Sequence, residues 1–407
     1  MIVLYTAYRN LGGVEQLIVN LSSELKRTGV RYKVLAPHDG MVWKKVSDYT
    51  PPEALFDSES LFCRRPAPHL VEIRKAALAP GDTLLLPNPQ DAIRLRWPNP
   101  KVLYWNVYPE TLLLGYTPPV RWMNRFLKGW MIDRLAAERS LCFMDNIGLR
   151  WTRQKFAATI PEPIYLPIPI PTVEVSSFVP RKRTIQEPLR ISYLGRAVDW
   201  KVLPCAYFLE RAARHRPVEA HIFTDSAEDF RRLWPAGLVA PRAQVTYHEH
   251  VHGTRLREML LTVSDLHAAM GTSALEGARL GLPTVVVEAF TEPAFAEVAK
   301  YRWLYEGECF FLGAIISAEN PTSNGREIAE LIQELERDPL SISQSCFSYS
   351  KANHDLAAVC ARFVALAQGA RGRLRSIHRG LALDMVEILA RQVVGRESTG
   401  NIERPAG

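Results

Sequence analysis

Cysteine is scarce in this 407-residue chain. The six present, Cys63, Cys142, Cys205, Cys309, Cys346 and Cys360, form no CxxC pair. Neither a disulfide framework nor a cysteine-built zinc cage organises such a sequence, and a reducing compartment fits it. No stretch approaches the roughly 18 consecutive apolar residues of a membrane-spanning helix. Leu280–Val287 and Phe310–Ala318 are as long as such runs become. The opening MIVLYTAYRN lacks the basic start, long apolar core and cleavage site of a signal peptide. These absences lead us to expect a cytoplasmic protein, soluble or peripheral on the inner face of a membrane. Glycine, 23 residues, shows no period, and 47 % of residues are hydrophobic, so collagen-like order and disorder are both excluded.

A core of ordinary size is therefore available, and the length predicts two or three domains. Short apolar runs alternate with segments of helical period, the mark of an α/β protein with parallel sheets. Strands are predicted at Ile2–Ala7, Tyr32–Ala36, Thr83–Leu86, Val102–Val107 and Leu141–Met144, with helices at Val14–Arg27, Arg121–Arg139 and Asn146–Phe156. Seven prolines between Pro161 and Pro188 then forbid a helix or a central strand, so residues 161–188 read as an extended linker. The alternation restarts with strands Arg190–Leu194, Ala220–Thr224, Gln244–Tyr247, Asp265–Ala268 and Thr284–Val287. Helices Leu203–His215, Ala227–Leu233, Thr254–Thr262 and Ala274–Leu280 lie between them. Further helices are expected near Arg326–Arg337, His354–Gln368 and Ile377–Val394, with 397–407 frayed. The fold class is thus α/β, with two doubly wound Rossmann-like domains facing across a cleft where ligands bind.

Three segments could carry chemistry. Gly12 and Gly13, followed by Val14-Glu15, stand between the first strand and its helix. There they allow close backbone approach to a ligand or simply turn the chain. Gly195, Arg196 and Lys201 open the second half. A guanidinium fork and a compact ammonium could neutralise a diphosphate leaving group, or stand as solvated surface charges. In Gly271-Thr272-Ser273-Ala274-Leu275-Glu276, Ser273 and Glu276 have the spacing of a capping box. Alternatively, the turn presents helix N–H groups to phosphate while Glu276 accepts two ribose hydroxyls.

In order and spacing these segments resemble the GT-B nucleotide-sugar glycosyltransferases, closest to glycosyltransferase family 4. Gly12-Gly13-Val14-Glu15, Gly195-Arg196 with Lys201, and Glu276 with Gly281 and Pro283 match its GG-x-E, GR-x4-K and E-x4-G-x-P patterns. The resemblance covers about residues 1–370. It implies sugar transfer, with retention, from a nucleoside diphosphate sugar to a glycan or lipid-linked acceptor in surface polysaccharide biosynthesis. Arg196 and Lys201 would hold the diphosphate and serve catalysis. Gly12, Gly13, Gly271, Thr272, Ser273 and Glu276 would bind a UDP- or GDP-sugar, with no cofactor and no metal. Residues 1–160 would form the acceptor-side domain and 189–350 the donor domain, and the first of the helices in 351–396 would cross back to the N-terminal domain. The family's E-x7-E pattern puts its first Glu at Ala268, so Thr272 or backbone groups would take that contact. A histidine common in the family's first domain is replaced by Asn106 or Tyr108, which become acceptor- or sugar-side candidates. A GT-B sugar-nucleotide epimerase and a non-catalytic nucleotide-sugar-binding protein are the alternative functions.

Two features remain. His248, His250 and His252 alternate, so an extended segment would put three imidazoles on one face as metal ligands; in the resembling family the same stretch is a base-contacting loop. The net charge of +7 is uneven. Residues 121–155 hold eight basic against three acidic residues, and 371–396 hold six against two, both on amphipathic helical patterns. Such helices are core-facing with solvated arginines, or they rest on an anionic membrane surface. No nucleic-acid recognition motif accompanies them.

Overall fold

The computed structural model describes residues 1–10, 13–58, 76–95, 99–107, 118–171, 185, 188–238, 242–318, 320 and 323–383. They fall into two compact units. One comprises residues up to Pro171 together with the described chain from Leu356; the other lies in between.

The first unit is built on β1 (Ile2–Tyr5), β2 (Tyr32–Ala36), β3 (Leu55–Asp57), β4 (Thr83–Leu86), β5 (Lys101–Asn106) and β6 (Leu141–Phe143). All pair in parallel in the order β3-β2-β1-β4-β5-β6. Residues on both faces of β1, β2 and β4 are buried, which explains their continuous apolar runs: helices cover each side. The helix Gly13–Arg27, for example, lays Leu17, Ile18, Leu21 and Leu25 against one face. The helix Leu356–Gly369 adds Val359, Cys360, Phe363 and Ala367 to the same core.

The second unit contains β7 (Leu189–Leu194), β8 (Val218–Thr224), β9 (Ala243–Glu249), β10 (Leu266–Ala269), β11 (Thr284–Val286) and β12 (Arg302–Trp303). Their order is β12-β11-β10-β7-β8-β9, parallel except for β12. In each sheet the chain builds outward from one central strand and then crosses to its other side. The order reverses between β1 and β4 in the first unit and between β7 and β10 in the second. Ligands of open parallel sheets bind beyond the carboxyl ends of the strands at such reversals.

Several elements depart from the sequence reading. Of the proline-rich stretch 161–188, residues 161–171 do not run free, and residues 172–184, 186 and 187 lie outside the described residues. Tyr165 bridges to Phe143, Leu166 N–H donates to the Phe143 carbonyl, and the Trp105 indole donates to the Leu166 carbonyl at 2.8 Å. Proline excludes a central strand yet tolerates a sheet edge, so residues 161–171 dock there. The helix expected from Leu203 begins at Asp199 and carries Pro204 within it. The helix Pro339–His354 was not legible, because its serine-rich sequence has little helical hydrophobic period. Of the basic helix expected at Ile377–Val394, the helix Leu374–Gly380 is described; residues from 384 lie outside the described residues.

Candidate functional site

The reversal point of the second sheet collects most of the candidate residues. Tyr193 of β7 pairs with Ala268 of β10, so the chain leaves both strands at one level. After β7 comes Gly195, where a Cβ would stand 2.9 Å from the Tyr193 ring and 3.4 Å from Cδ of Lys201. Glycine is needed there because both side chains close over the turn. The Tyr193 hydroxyl donates to the Lys201 carbonyl at 2.9 Å, tying the first turn of the helix Asp199–His215 back to the strand.

Arg196 is exposed, whereas Lys201 is half-buried with its ammonium 4.9 Å from the centroid of the Trp200 ring. Burial, and then the Arg196 charge, push the Lys201 pKa down to about 8, against a smaller opposing pull from Asp225. A lysine so placed is a cation short of counter-charge. Asp225, just after β8, is absent from the sequence reading. Its carboxylate accepts from the Ala197 N–H at 2.8 Å and the Thr224 hydroxyl at 3.1 Å, and so fixes the loop bearing Arg196. Burial raises its pKa, but those hydrogen bonds and Arg196 outweigh it and the net shift is downward.

After β10 the chain turns at Gly271, whose φ of 62° favours glycine. The helix Thr272–Ala278 starts there, two residues earlier than expected, and no side chain caps it. The capping box expected from Ser273 and Glu276 is therefore not formed, because Ser273 already lies inside the helix. Glu276 instead pairs with Arg279 through Oε2, with the guanidinium Nε donating at 2.8 Å. Arg279 is buried. Burial lowers its pKa, Glu276 raises it and the neighbouring Arg257 charge lowers it further, for a net downward shift.

Beneath this helix sits His267 of β10, buried between strand and helix. Its Nε2 faces the Ser273 carbonyl at 3.0 Å and its Nδ1 the Ser192 hydroxyl at 2.8 Å. A carbonyl only accepts, so Nε2 carries the proton and Nδ1 accepts from Ser192. Burial holds the imidazole neutral, its pKa lowered to about 4. The ring occupies the space where a Cβ on Gly277 would lie, so Gly277 is a consequence of His267. A polar residue inside a four-residue apolar strand was the one available signal of this contact.

The first sheet's reversal point holds fewer of the predicted residues. Gly12 and Tyr108 lie outside the described residues. Gly13 opens its helix, and among the described residues no atom lies within 4 Å of a would-be Cβ there. Below it the Thr6 hydroxyl donates to Glu15 at 3.3 Å, and the Asn88 amide donates to the Tyr8 hydroxyl at 3.1 Å. Asn106 is buried at the end of β5, its amide nitrogen donating to the Thr152 hydroxyl at 3.1 Å while its Oδ1 has no hydrogen-bond partner among the described residues.

The histidine run does not put three rings on one face. His248 lies in β9, longer than expected, stacked on Phe223 and 3.1 Å from His221. His250 has a φ of 53°, which breaks the alternation. Among the described residues no cluster of three histidine, cysteine, aspartate or glutamate side chains could hold a metal ion. No described helix is long and apolar enough to cross a membrane.

No protein-family model and no curated protein sequence matches the chain. Solved structures do. A glycosyltransferase from Rickettsia africae ESF-5 aligns over 90 % of this chain and 97 % of its own, with 13 % identity and a TM-score of 0.57. The lipopolysaccharide outer core galactosyltransferase WaaB, in its apo form, aligns over 90 % and 98 %, with 9 % identity and a TM-score of 0.54. HepE of Anabaena, solved with UDP and glucose, aligns over 90 % and 99 %, with 13 % identity and a TM-score of 0.52. At such identities the likeness is one of fold.

Proposed function

Starting from the GT-B fold that this chain shares with those glycosyltransferases, we propose that it transfers a sugar from a nucleoside diphosphate donor. The acceptor is a glycan or a lipid-linked glycan of surface polysaccharide biosynthesis, met at an anionic membrane. The observation that carries the reading is Lys201: a half-buried ammonium, repelled by Arg196, at the reversal point of its sheet and level with the uncapped helix after Gly271. That arrangement suits a dianionic ligand. In the reaction the bond between the anomeric carbon and the diphosphate oxygen breaks as the acceptor hydroxyl bonds to that carbon. Arg196, Lys201 and the N–H groups at Thr272 and Ser273 stabilise the departing diphosphate. The acceptor's proton passes to a phosphate oxygen of the leaving group. Attack from the face the diphosphate leaves retains the anomeric configuration. Glu276, oriented by Arg279, accepts the ribose hydroxyls. HepE's complex with UDP and glucose supports a uridine donor.

One observation favours a second reading. Ala268, where the resembling family places a glutamate, is a buried methyl in β10, so a nucleotide-sugar-binding protein without turnover would show the same site. A thermal-shift panel of UDP-, GDP-, ADP- and CMP-sugars tests binding, followed by turnover with the best ligand. We expect a UDP-sugar to raise Tm, Arg196→Ala to abolish turnover, and Glu276→Gln to weaken nucleoside diphosphate binding. Binding without turnover selects the second reading, and no response to any nucleotide refutes both.

A further inference from the structure

We propose that His267 is a positioning residue for the donor's ribose: it fixes the helix Thr272–Ala278 on the sheet and thereby the place of the Glu276 carboxylate. This deepens the reading above and rests on it, because Glu276 is there the ribose contact.

That helix has a sheet-facing side and an open side. Ala274, Leu275, Gly277 and Ala278 are buried, whereas the Glu276 side chain is 27 % exposed. His267 meets the sheet-facing side twice. Its Nε2–H donates to the Ser273 carbonyl at 3.0 Å, and its ring fills the space at Gly277, one turn further on. Ser273 and Gly277 bracket Glu276 in sequence, so both contacts lie within one turn of the carboxylate. Arg279, buried and paired with Glu276, turns that carboxylate, and the ring beneath sets the distance of the helix from β10.

Three residues depart together from what packing alone would select. His267 is polar in a strand buried along its whole length, and Ser192, its neighbour in register on β7, is polar and buried too. An apolar pair would fill that space without taking polar groups out of water. Gly277, inside a helix, costs about 1 kcal/mol relative to alanine. The three make one device. The Ser192 hydroxyl donates to Nδ1 at 2.8 Å, which leaves the Nε2 proton directed at Ser273. Burial keeps the imidazole neutral, so it is a fixed donor and takes no part as acid or base. A carbonyl has two lone pairs, so Ser273 accepts from the ring without leaving the helical ladder. The ring is thus a spacer of fixed thickness with a directed hydrogen bond at its tip.

An aliphatic side chain at 267 would supply the thickness without the direction, leaving the helix free to slide on its small residues Ala274, Gly277 and Ala278. Ribose recognition is sensitive to such a slide. Hydroxyl-to-carboxylate hydrogen bonds span about 2.5–2.7 Å, so a helix displaced by roughly an ångström loses them. Arg196 and Lys201 reach the diphosphate from the turn after β7, which does not rest on this ring. Loss of the His267 donor therefore acts on ribose recognition far more than on diphosphate recognition.

The test compares the full chain with His267→Gln, His267→Asn and His267→Leu. Glutamine brings an amide nitrogen to the place of Nε2, asparagine falls one methylene short, and leucine fills the space with no donor. Calorimetry gives dissociation constants for UDP and GDP, for their 2′-deoxy forms and for inorganic diphosphate, and thermal melts check folding. Wild type is expected to prefer the ribose form of its nucleotide at least about tenfold over the 2′-deoxy form. His267→Leu should bring that preference down toward one while diphosphate affinity stays within about threefold. His267→Gln should restore the preference and His267→Asn should not. If leucine prevents folding, the glutamine–asparagine pair decides alone, because the two differ only in reach. The inference is overturned if a folded His267→Leu or His267→Asn keeps the wild-type preference. It is also overturned if the variants weaken all ligands equally and glutamine restores nothing, the pattern of a purely structural residue. A wild type that binds ribose and 2′-deoxy forms alike overturns the ribose assignment of Glu276 and this inference with it. A wild-type preference that survives in the variants overturns this inference alone.

Discussion

Replacing Lys201 by Met should make the empty protein more stable and the site useless. The ammonium has an ordinary pKa of 10.5 and a folded value of about 8, because burial and Arg196 both disfavour its charge. The difference corresponds to about 3 kcal/mol of unfavourable interaction at neutral pH. The unfolded chain holds this proton more tightly, so between pH 8 and 10.5 the folded protein gains stability as pH rises. Below pH 8 both states are protonated and the full penalty is present. Met keeps much of the apolar stem without the charge. After allowing for the lost attraction of Asp225, we expect about 1–2 kcal/mol of net stabilisation at pH 7 and a rise of about 5 °C in the Tm of the second unit. The same proton sets affinity. A diphosphate binds the ammonium form, so the wild-type dissociation constant for UDP should rise about tenfold from pH 7 to pH 9. Calorimetry at pH 8 in buffers of different ionisation enthalpy should show about half a proton taken up on binding. Lys201→Met should show no such uptake, weak affinity and a flatter pH profile. A lower Tm for Lys201→Met at pH 7 together with pH-independent UDP affinity in wild type would refute the reasoning.

Two further outcomes follow from the same unit. Gly277→Ala forces a methyl into the His267 ring, and denaturant melts should show a loss of about 2–3 kcal/mol. His267→Ala in the same background should recover part of it. Arg279→Met frees Glu276 from its partner, so the ratio of UDP to 2′-deoxy-UDP affinity should fall toward one while inorganic diphosphate binds unchanged. A preserved ratio would mean that Arg279 serves the fold alone.

The chemistry-bearing turns were legible because each is local. A buried strand, a glycine and the first residues of a helix lie within about ten positions, as in Leu189–Lys201 and Leu266–Glu276. Asp225 was not legible, since its value lies in reaching the Ala197 N–H from another strand. Nor was Arg279, to which the sequence attached no role and which is buried against Glu276. The capping box expected at Ser273 failed because Gly271, free to adopt positive φ, starts the helix two residues early.

Composition and periodicity by themselves determined the two parallel sheets, since strands buried on both faces must be apolar runs joined by amphipathic helices. They also located the two basic segments. Only the tertiary structure decided that the helix Leu374–Gly380 lies against the helix Pro118–Ala137, through contacts across more than 240 residues that no local pattern encodes. Helical spacing placed Trp122, Phe126 and Trp130 on one stripe. Packing then decided which of them the core would take: Trp130 lies partly buried against it, while Trp122 and Phe126 remain in solvent.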